Sequence, residues 1–411
     1  TAKTMLIPTS DAHANSQAAY ESVINAMDTY DGAVTMYLSA GGYNLTTRLA
    51  DWRAKGNEFG VHPAAAAQPA TIAGLGTGYT NIINYFNTQY PTIPLSRTVR
   101  NHQITWVGWT DAADVTVEAF DLDANNPGMD TNFYHWGPWL QKTDNSWPHG
   151  YITGSGQPMK FMKTDGIILP YYQQLTQLVD EQFFPIAGGF ENLDIPQALV
   201  VSQQLIDASL AGDYAAIMTQ FHVDYTDFGE VEGWVTGTLD YANQQNVPIW
   251  NADQWLNFTE TRQDANLNNF FWNPGTQTLT FSMAAANQPG LNLTTMIPLS
   301  YGGEPLDSVI VDNIWIPYTV QTIKGIDVAF VSVPAGNHNF MVRYGTSPEP
   351  PPALPNAAPT RHYQTSLTAD FTWSAITWAE KYHIQIATNN TFKLPLTLPN
   401  GGEISAPALS L

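Results

Sequence analysis

The chain has 411 residues, with 15 Lys+Arg against 36 Asp+Glu and a formal net charge of −21. That balance excludes a nucleic-acid binder, because little here neutralises a run of phosphates, and the lack of cysteine excludes disulfides, thiolate metal sites and a cysteine nucleophile. With 44% hydrophobic residues the chain buries large cores rather than staying disordered, and its length favours two or three domains.

Taken in chain order, residues 1–257 alternate short apolar runs with helical patterns. Residues 4–9 read as a strand. Helical spacing of Ala19, Tyr20, Val23, Ile24 and Met27 follows over 18–30. The next strand is 34–38, and the next helix is 45–55, stopped by Gly56. Residues 58–62, 104–107, 167–169, 216–221 and 247–250 look extended, and 196–211 and 233–244 look helical. Strand–helix alternation of this kind implies a parallel sheet, open or closed into a barrel. From 258 the pattern changes to short strands at turn spacing: 278–282, 291–294, 308–311, 314–316, 328–333 and 339–344. These read as a β-sandwich over 258–346. The proline-rich stretch 347–358 is a stiff linker. Beyond it, 370–373 and 381–386 alternate like the first half of a fibronectin type III-like module, within a remaining segment, 359–411, too short for a whole one.

Charged residues are only 12% of the chain, against about 25% in an average soluble protein. Asn, Gln, Thr and Ser take their place, as is common in secreted proteins. Four Asn-x-Ser/Thr sequons (Asn44, Asn257, Asn292, Asn389) are compatible with export. No stretch reaches the ~18 apolar residues of a membrane span, and Thr1 does not open a signal peptide. The composition reads as a mature chain, secreted, extracellular or at the cell surface.

Polar residues follow the strands of the first domain: Asp11 and His13, His62, Arg100 and His102, Asp130, His222 and Asp224, Asn251 and Asp253. In a parallel α/β barrel the carboxyl ends of the strands converge on one face, so residues far apart in sequence meet there. An Asp-plus-His set suits a divalent metal, zinc above all, which accepts imidazole nitrogen and carboxylate oxygen and keeps one position for water.

The motifs that carry these residues are Thr9-Ser-Asp-Ala-His13, Trp52-Arg-Ala-Lys-Gly-Asn-Glu-Phe-Gly-Val-His62-Pro, Arg100-Asn-His102, Met129-Asp-Thr-Asn-Phe-Tyr-His135, Gly154-Ser-Gly-Gln-Pro-Met159 and Gln220-Phe-His222. In this order they resemble the polysaccharide deacetylase superfamily, extracellular hydrolases with an irregular (β/α) barrel. The resemblance implies a metal held by an Asp and two His, a second Asp as base, an Arg-bearing loop, a late His as acid, and attack of a water on an acetyl group of an amino sugar or xylan. Carried over, Asp11 matches the first motif, but Ala12 stands where its second Asp is expected. His62 matches the first His of an H-x-x-x-H pair whose partner position is Ala66. Arg100 fits the Arg loop and His222 the late His, and His13 and His102 are the available substitutes. The implied metal set is Asp11, His13, His62 and His102, and the implied catalytic set Asp11, Arg100 and His222. Asp11 cannot be both ligand and free base, so Asp130, Asp224 or Asp253 supplies the other role.

Plainer readings stand beside these. Asp11 after a strand also suits a helix N-cap, His62 a hydrogen-bonded core histidine, and Arg100 an ion pair with a buried carboxylate. The aromatic loop 133–139 suits sugar stacking or ordinary packing, and His135 and His149 read as packing. His338, His362 and His383 carry no hypothesis.

The fold expected is multidomain α/β plus β: an irregular (β/α) barrel over 1–257, the β-sandwich, the linker, and a partial immunoglobulin/fibronectin-like β module over 359–411. The function expected is an exported, metal-dependent carbohydrate deacetylase-like hydrolase acting on acetylated polysaccharide or cell-wall glycan. The alternative is a cell-surface or filament-forming structural protein with a degenerate barrel, self-associating through its β modules. A third reading is carbohydrate binding without turnover.

Overall fold

The computed structural model describes residues 3–13, 15–41, 45–132, 156–185, 191–226 and 229–345, with short strands at 370–372, 382–383, 403–404 and 408–410. They form two compact units, the first of residues 1–266 with 284–294 and 332–337, the second of 267–283, 295–331 and 338–411. The linker 347–358, the aromatic loop 133–139, His135 and His149 lie outside the described residues.

The first unit is α/β. Its elements are β1 (Met5–Ala12), α1 (Gln17–Thr29), β2 (Thr35–Leu38), α2 (Thr46–Ala54), β3 (Glu58–Val61), α3 (Ile72–Gln89), β4 (Thr98–Val99), α4 (Asp111–Ala119) and β5 (Gly128–Asp130). They continue as β6 (Met159–Met162), β7 (Ile168–Gln173), β8 (Leu178–Val179), α5 (Asp180–Phe183), α6 (Ile195–Ala208), β9 (Ala216–His222), α7 (Gly229–Gln244) and α8 (Ala252–Asp264). One sheet has the order β3-β2-β1-β9-β8 and is parallel throughout. Every residue of β1 and β9 is buried, as befits central strands of a parallel sheet covered on both faces. The second sheet, β4-β5-β7-β6, is parallel except for β6. Backbone N–H groups of Ser96 and His102, flanking β4, donate to Phe59 O at 3.0 Å and Pro63 O at 2.8 Å, so β4 runs beside β3.

Gly60 permits that approach. A Cβ there would lie 2.8 Å from Tyr37 Cδ1 and 2.9 Å from the Thr98 carbonyl oxygen. The second glycine of Gly56-Asn-Glu-Phe-Gly60-Val-His62 is thus a packing requirement that sets β3, which His62 follows, against β4, which Arg100 follows.

Helix α1 matches its apolar spacing, burying Ala19, Tyr20, Val23, Ile24 and Met27, with Ser16 capping Ala19 N. Helix α6 opens on a capping box between Asp194 and Gln197. Several elements depart from the sequence reading. Residues 104–107 are not a strand: His102–Ile104 form one 3₁₀ turn in which Gln103 and Ile104 take φ of 54° and 52°. Residues 247–250 contribute a single bridge, Ile249 to Leu6. Helix α3, unmarked in the sequence, forms despite Gly74, Gly76 and Gly78 because Leu75, Tyr79, Ile82 and Phe86 bury one stripe. Helix α8 runs through residue 257, so the first unit extends past that expected boundary.

The second region is antiparallel β. Its strands are β10 (Asn266–Asn273), β11 (Thr278–Ala284), β12 (Asn292–Pro298), β13 (Ser300–Tyr301), β14 (Glu304–Val311), β15 (Ile314–Trp315), β16 (Thr319–Ile323), β17 (Ile326–Pro334) and β18 (His338–Tyr344). One sheet runs β10-β11-β18-β14-β13, with β15 paired to β14, and another β12-β17-β16. Further along, β19 (Asp370–Thr372) pairs antiparallel with β22 (Ala408–Ser410), and β20 (Tyr382–His383) with β21 (Glu403–Ile404). Among the described residues no helix is long and apolar enough to cross a membrane.

Candidate metal centre and active site

Five chain segments bring the site together, each at or just past the carboxyl end of a parallel strand. His13 follows β1, His62 follows β3, Arg100 and His102 follow β4, Asp180 follows β8, and His222 ends β9. His13, His62 and His102 converge: each offers a ring nitrogen, and the three nitrogens lie within 4.8 Å of one another. Their ring centroids are 5.2–5.5 Å apart.

For His62 and His13 the neighbours of the ring fix which nitrogen faces inward. His62 Nδ1 donates to the Arg100 carbonyl oxygen at 2.9 Å, leaving Nε2 as the lone-pair nitrogen. His13 Nδ1 donates to Asp224 Oδ1 at 3.1 Å, and its Nε2 is buried with no hydrogen-bond partner. Outer carboxylates and carbonyls of this kind orient metal-binding imidazoles and raise their basicity. Burial, and then the proximity of other imidazoles, push His62 down to about 4 and lower His102, although Asp11 pulls both the other way. Three imidazole nitrogens this close are a donor set that zinc accepts, and the orphaned Nε2 of His13 is the atom a cation would satisfy. The residues fit a divalent metal.

Asp11 lies beside this cluster and outside it. Its Oδ1 accepts from Arg100 Nη1 at 3.1 Å, its Oδ2 from Gln220 Nε2 at 3.1 Å, and Oδ2 is 3.9 Å from His62 Nε2. Burial alone would raise its pKa; His62, Arg100 and His222 and the hydrogen bond from Arg100 outweigh that and bring it down to about 2. Arg100 is fully buried and spends its guanidinium within the protein, on Asp11, Thr9 Oγ1, Thr176 Oγ1 and the Thr131 carbonyl. The plainer reading of Arg100, an ion pair with a buried carboxylate, matches this geometry.

On the other side, His222 stacks on His13 at 5.6 Å. Asp180, which sequence reasoning missed, accepts both the His222 backbone N–H at 2.7 Å and Nδ1 at 3.2 Å. Glu181 Oε1 lies 3.7 Å from Nε2. Burial would lower His222; the Asp180 carboxylate overcomes it, and with Asp11 and Glu181 raises the imidazole to about 10. No periodic signal marked Asp180, because its helix is only four residues long.

The remaining carboxylates separate. Asp224 orients His13. Asp130 is buried, accepting from Asn132 Nδ2 at 2.6 Å through Oδ1 while Oδ2 has no partner, and burial pushes it up to about 7. Asp253 accepts from Ser96 Oγ at the other end of β4 from Arg100, and Asn251 caps α8. Ala66, at the expected second-histidine position, sits in a bend with its N–H on Gly74 O.

No protein-family model matches the sequence, and no curated protein does. Among solved structures the chain is similar to a Mycobacterium smegmatis protein described as a polysaccharide deacetylase, at 12% identity and TM-score 0.47, over 64% of this chain and 92% of that one. It is similar to a family 4 carbohydrate esterase from Streptomyces lividans, solved with acetate, at 9% identity and TM-score 0.35, over 61% and 93%. It is also similar to a family 4 pseudoenzyme from Bacillus anthracis, at 6% identity and TM-score 0.37, over 61% and 65%. At these identities and TM-scores the likenesses are distant.

Proposed function

We propose that the α/β unit, read as an irregular (β/α) barrel, is a metal-dependent deacetylase-like hydrolase acting on acetylated polysaccharide in an exported setting. The observation that carries this is the three-imidazole cluster with the buried, unpartnered Nε2 of His13 aimed into it. His13, His62 and His102 would hold the cation, zinc by their chemistry. When bound, it supplies Lewis acidity toward an acyl oxygen and acidifies a water. In this reading His13 and His102 take over for the side chains missing at Ala12 and Ala66.

Asp11 then has one role. It stays ionised at working pH and accepts the proton of the attacking water, a weak base suited to a strongly acidified one. Arg100 is a positioning residue: it fixes the Asp11 carboxylate and, through its carbonyl, the His62 ring. His222, held protonated by Asp180, gives its proton to the departing amine or alcohol. As the acyl C–N or C–O bond breaks, the products are acetate and a free amine or hydroxyl. Trp109, 74% exposed a few residues past His102, offers a stacking face to a sugar ring.

Zinc-loaded protein is expected to release acetate from acetylated chitooligosaccharides or acetylxylan, with loss in Asp11→Asn and His62→Ala. Equal acetate release from the wild type and both variants would overturn the assignment.

A further inference from the structure

We infer that the antiparallel β region carries a second glycan-binding site, a trough on the outer face of the sheet β11-β18-β14 that takes a neutral oligosaccharide. The strand register builds it. Thr280 pairs with Met341 and Met341 with Ile310, while the alternate positions Phe281, Phe340 and Val311 bury the opposite face. Met341 and Ile310 therefore make an apolar floor, and Ser282 and Asn339, register partners one row along, stand at its side. The cavity over this face is about 500 Å³, inside the range of sites for small ligands.

Its polar lining is amide and hydroxyl, from Thr280, Ser282, Asn313 and Asn339, with a single carboxylate. The one carboxylate, Asp312, is engaged on both oxygens: Oδ2 accepts from His338 Nδ1 at 2.6 Å and Oδ1 from the Asn339 backbone N–H at 2.8 Å. Those bonds fix the turn at Asp312 and Asn313, where both residues have left-handed φ of 49° and 67°. Among the described residues the side chains of Thr280 and Asn313 have no hydrogen-bond partner and border the cavity. Amide and hydroxyl groups around an apolar floor match a pyranose, which presents C–H groups on its face and hydroxyls on its rim. Arg343 stands on the same face one row beyond Met341 and is not part of the lining, and the chain carries a net charge of −21, so the lining itself gives an anionic ligand no cation. The inference rests on the proposed function only for the choice of glycan probe.

The test is isothermal titration of the full chain with chitohexaose and xylohexaose, in wild type, His62→Ala and Thr280→Val/Asn313→Ala, each checked for an unchanged melting temperature. Binding of at least one hexaose is expected in wild type and His62→Ala, weakened about tenfold or more in Thr280→Val/Asn313→Ala, with tri-galacturonate failing to compete. The single variant Asn313→Ala gives the same direction if the double variant does not fold. No saturable binding of either hexaose, or binding lost in His62→Ala and untouched in the trough variants, overturns the site. Tighter binding of tri-galacturonate overturns the neutral-ligand assignment.

Discussion

The Arg100 guanidinium donates from Nη1 to Asp11 Oδ1 at 3.1 Å, with both side chains closed off from solvent. Removing one member of such a pair leaves an uncompensated buried charge, which costs about 3–5 kcal/mol. Arg100→Met is expected to lose stability on that scale in equilibrium urea denaturation. Asp11→Asn/Arg100→Met should recover much of the loss, since no buried charge is then orphaned.

Asp224 would act on the proposed metal site through His13. Asp224→Asn retains the shape but weakens the acceptor that holds the His13 tautomer. Zinc affinity, measured by competition with a chelating dye, is expected to fall about 10–100-fold with far-ultraviolet circular dichroism unchanged.

Zinc held by three imidazoles that only folding brings together would raise stability by mass action. At free zinc 100-fold above its dissociation constant the gain is about 2.7 kcal/mol. The melting temperature should rise on adding zinc and fall back with chelator, and His102→Ala should show neither change.

Asp130 predicts a pH dependence. Its folded pKa, about 7, lies above the unfolded aspartate value, so between the two the folded state binds the extra proton. That contribution is full below the unfolded pKa and is lost as pH rises toward 7. Asp130→Asn removes the slope. The variant should match wild type near pH 4 and exceed it by about 2–4 kcal/mol at pH 8 in urea denaturation.

Much of the site was legible because it sits on strand ends. The glycine before His62 was legible only as part of a motif; the structure gives its reason, with Tyr37 and the Thr98 carbonyl packed against it. His13 and His102 were visible as substitutes for missing ligands. What the sequence hid was orientation. Nothing local marks that Asp180 reaches His222, or that both Asp11 oxygens are taken by Arg100 and Gln220, because those bonds join residues 42 to 209 positions apart. Residues 104–107 read as a strand from their apolar and β-branched character. Tertiary context instead set the His102 N–H on Pro63 O and folded the segment into a turn. Helix α3 was masked by its glycines, whose low propensity is outweighed by the buried stripe of Leu75, Tyr79, Ile82 and Phe86.

The most direct test of the central claim is the metal content of purified protein set beside its ring nitrogens. Cobalt substitution followed by X-ray absorption spectroscopy counts imidazole ligands at the metal. The account predicts one metal per chain with three imidazole nitrogens, lost in His13→Ala, His62→Ala and His102→Ala alike. A site with fewer than three imidazoles, or a chain that takes up no metal at neutral pH, would contradict it.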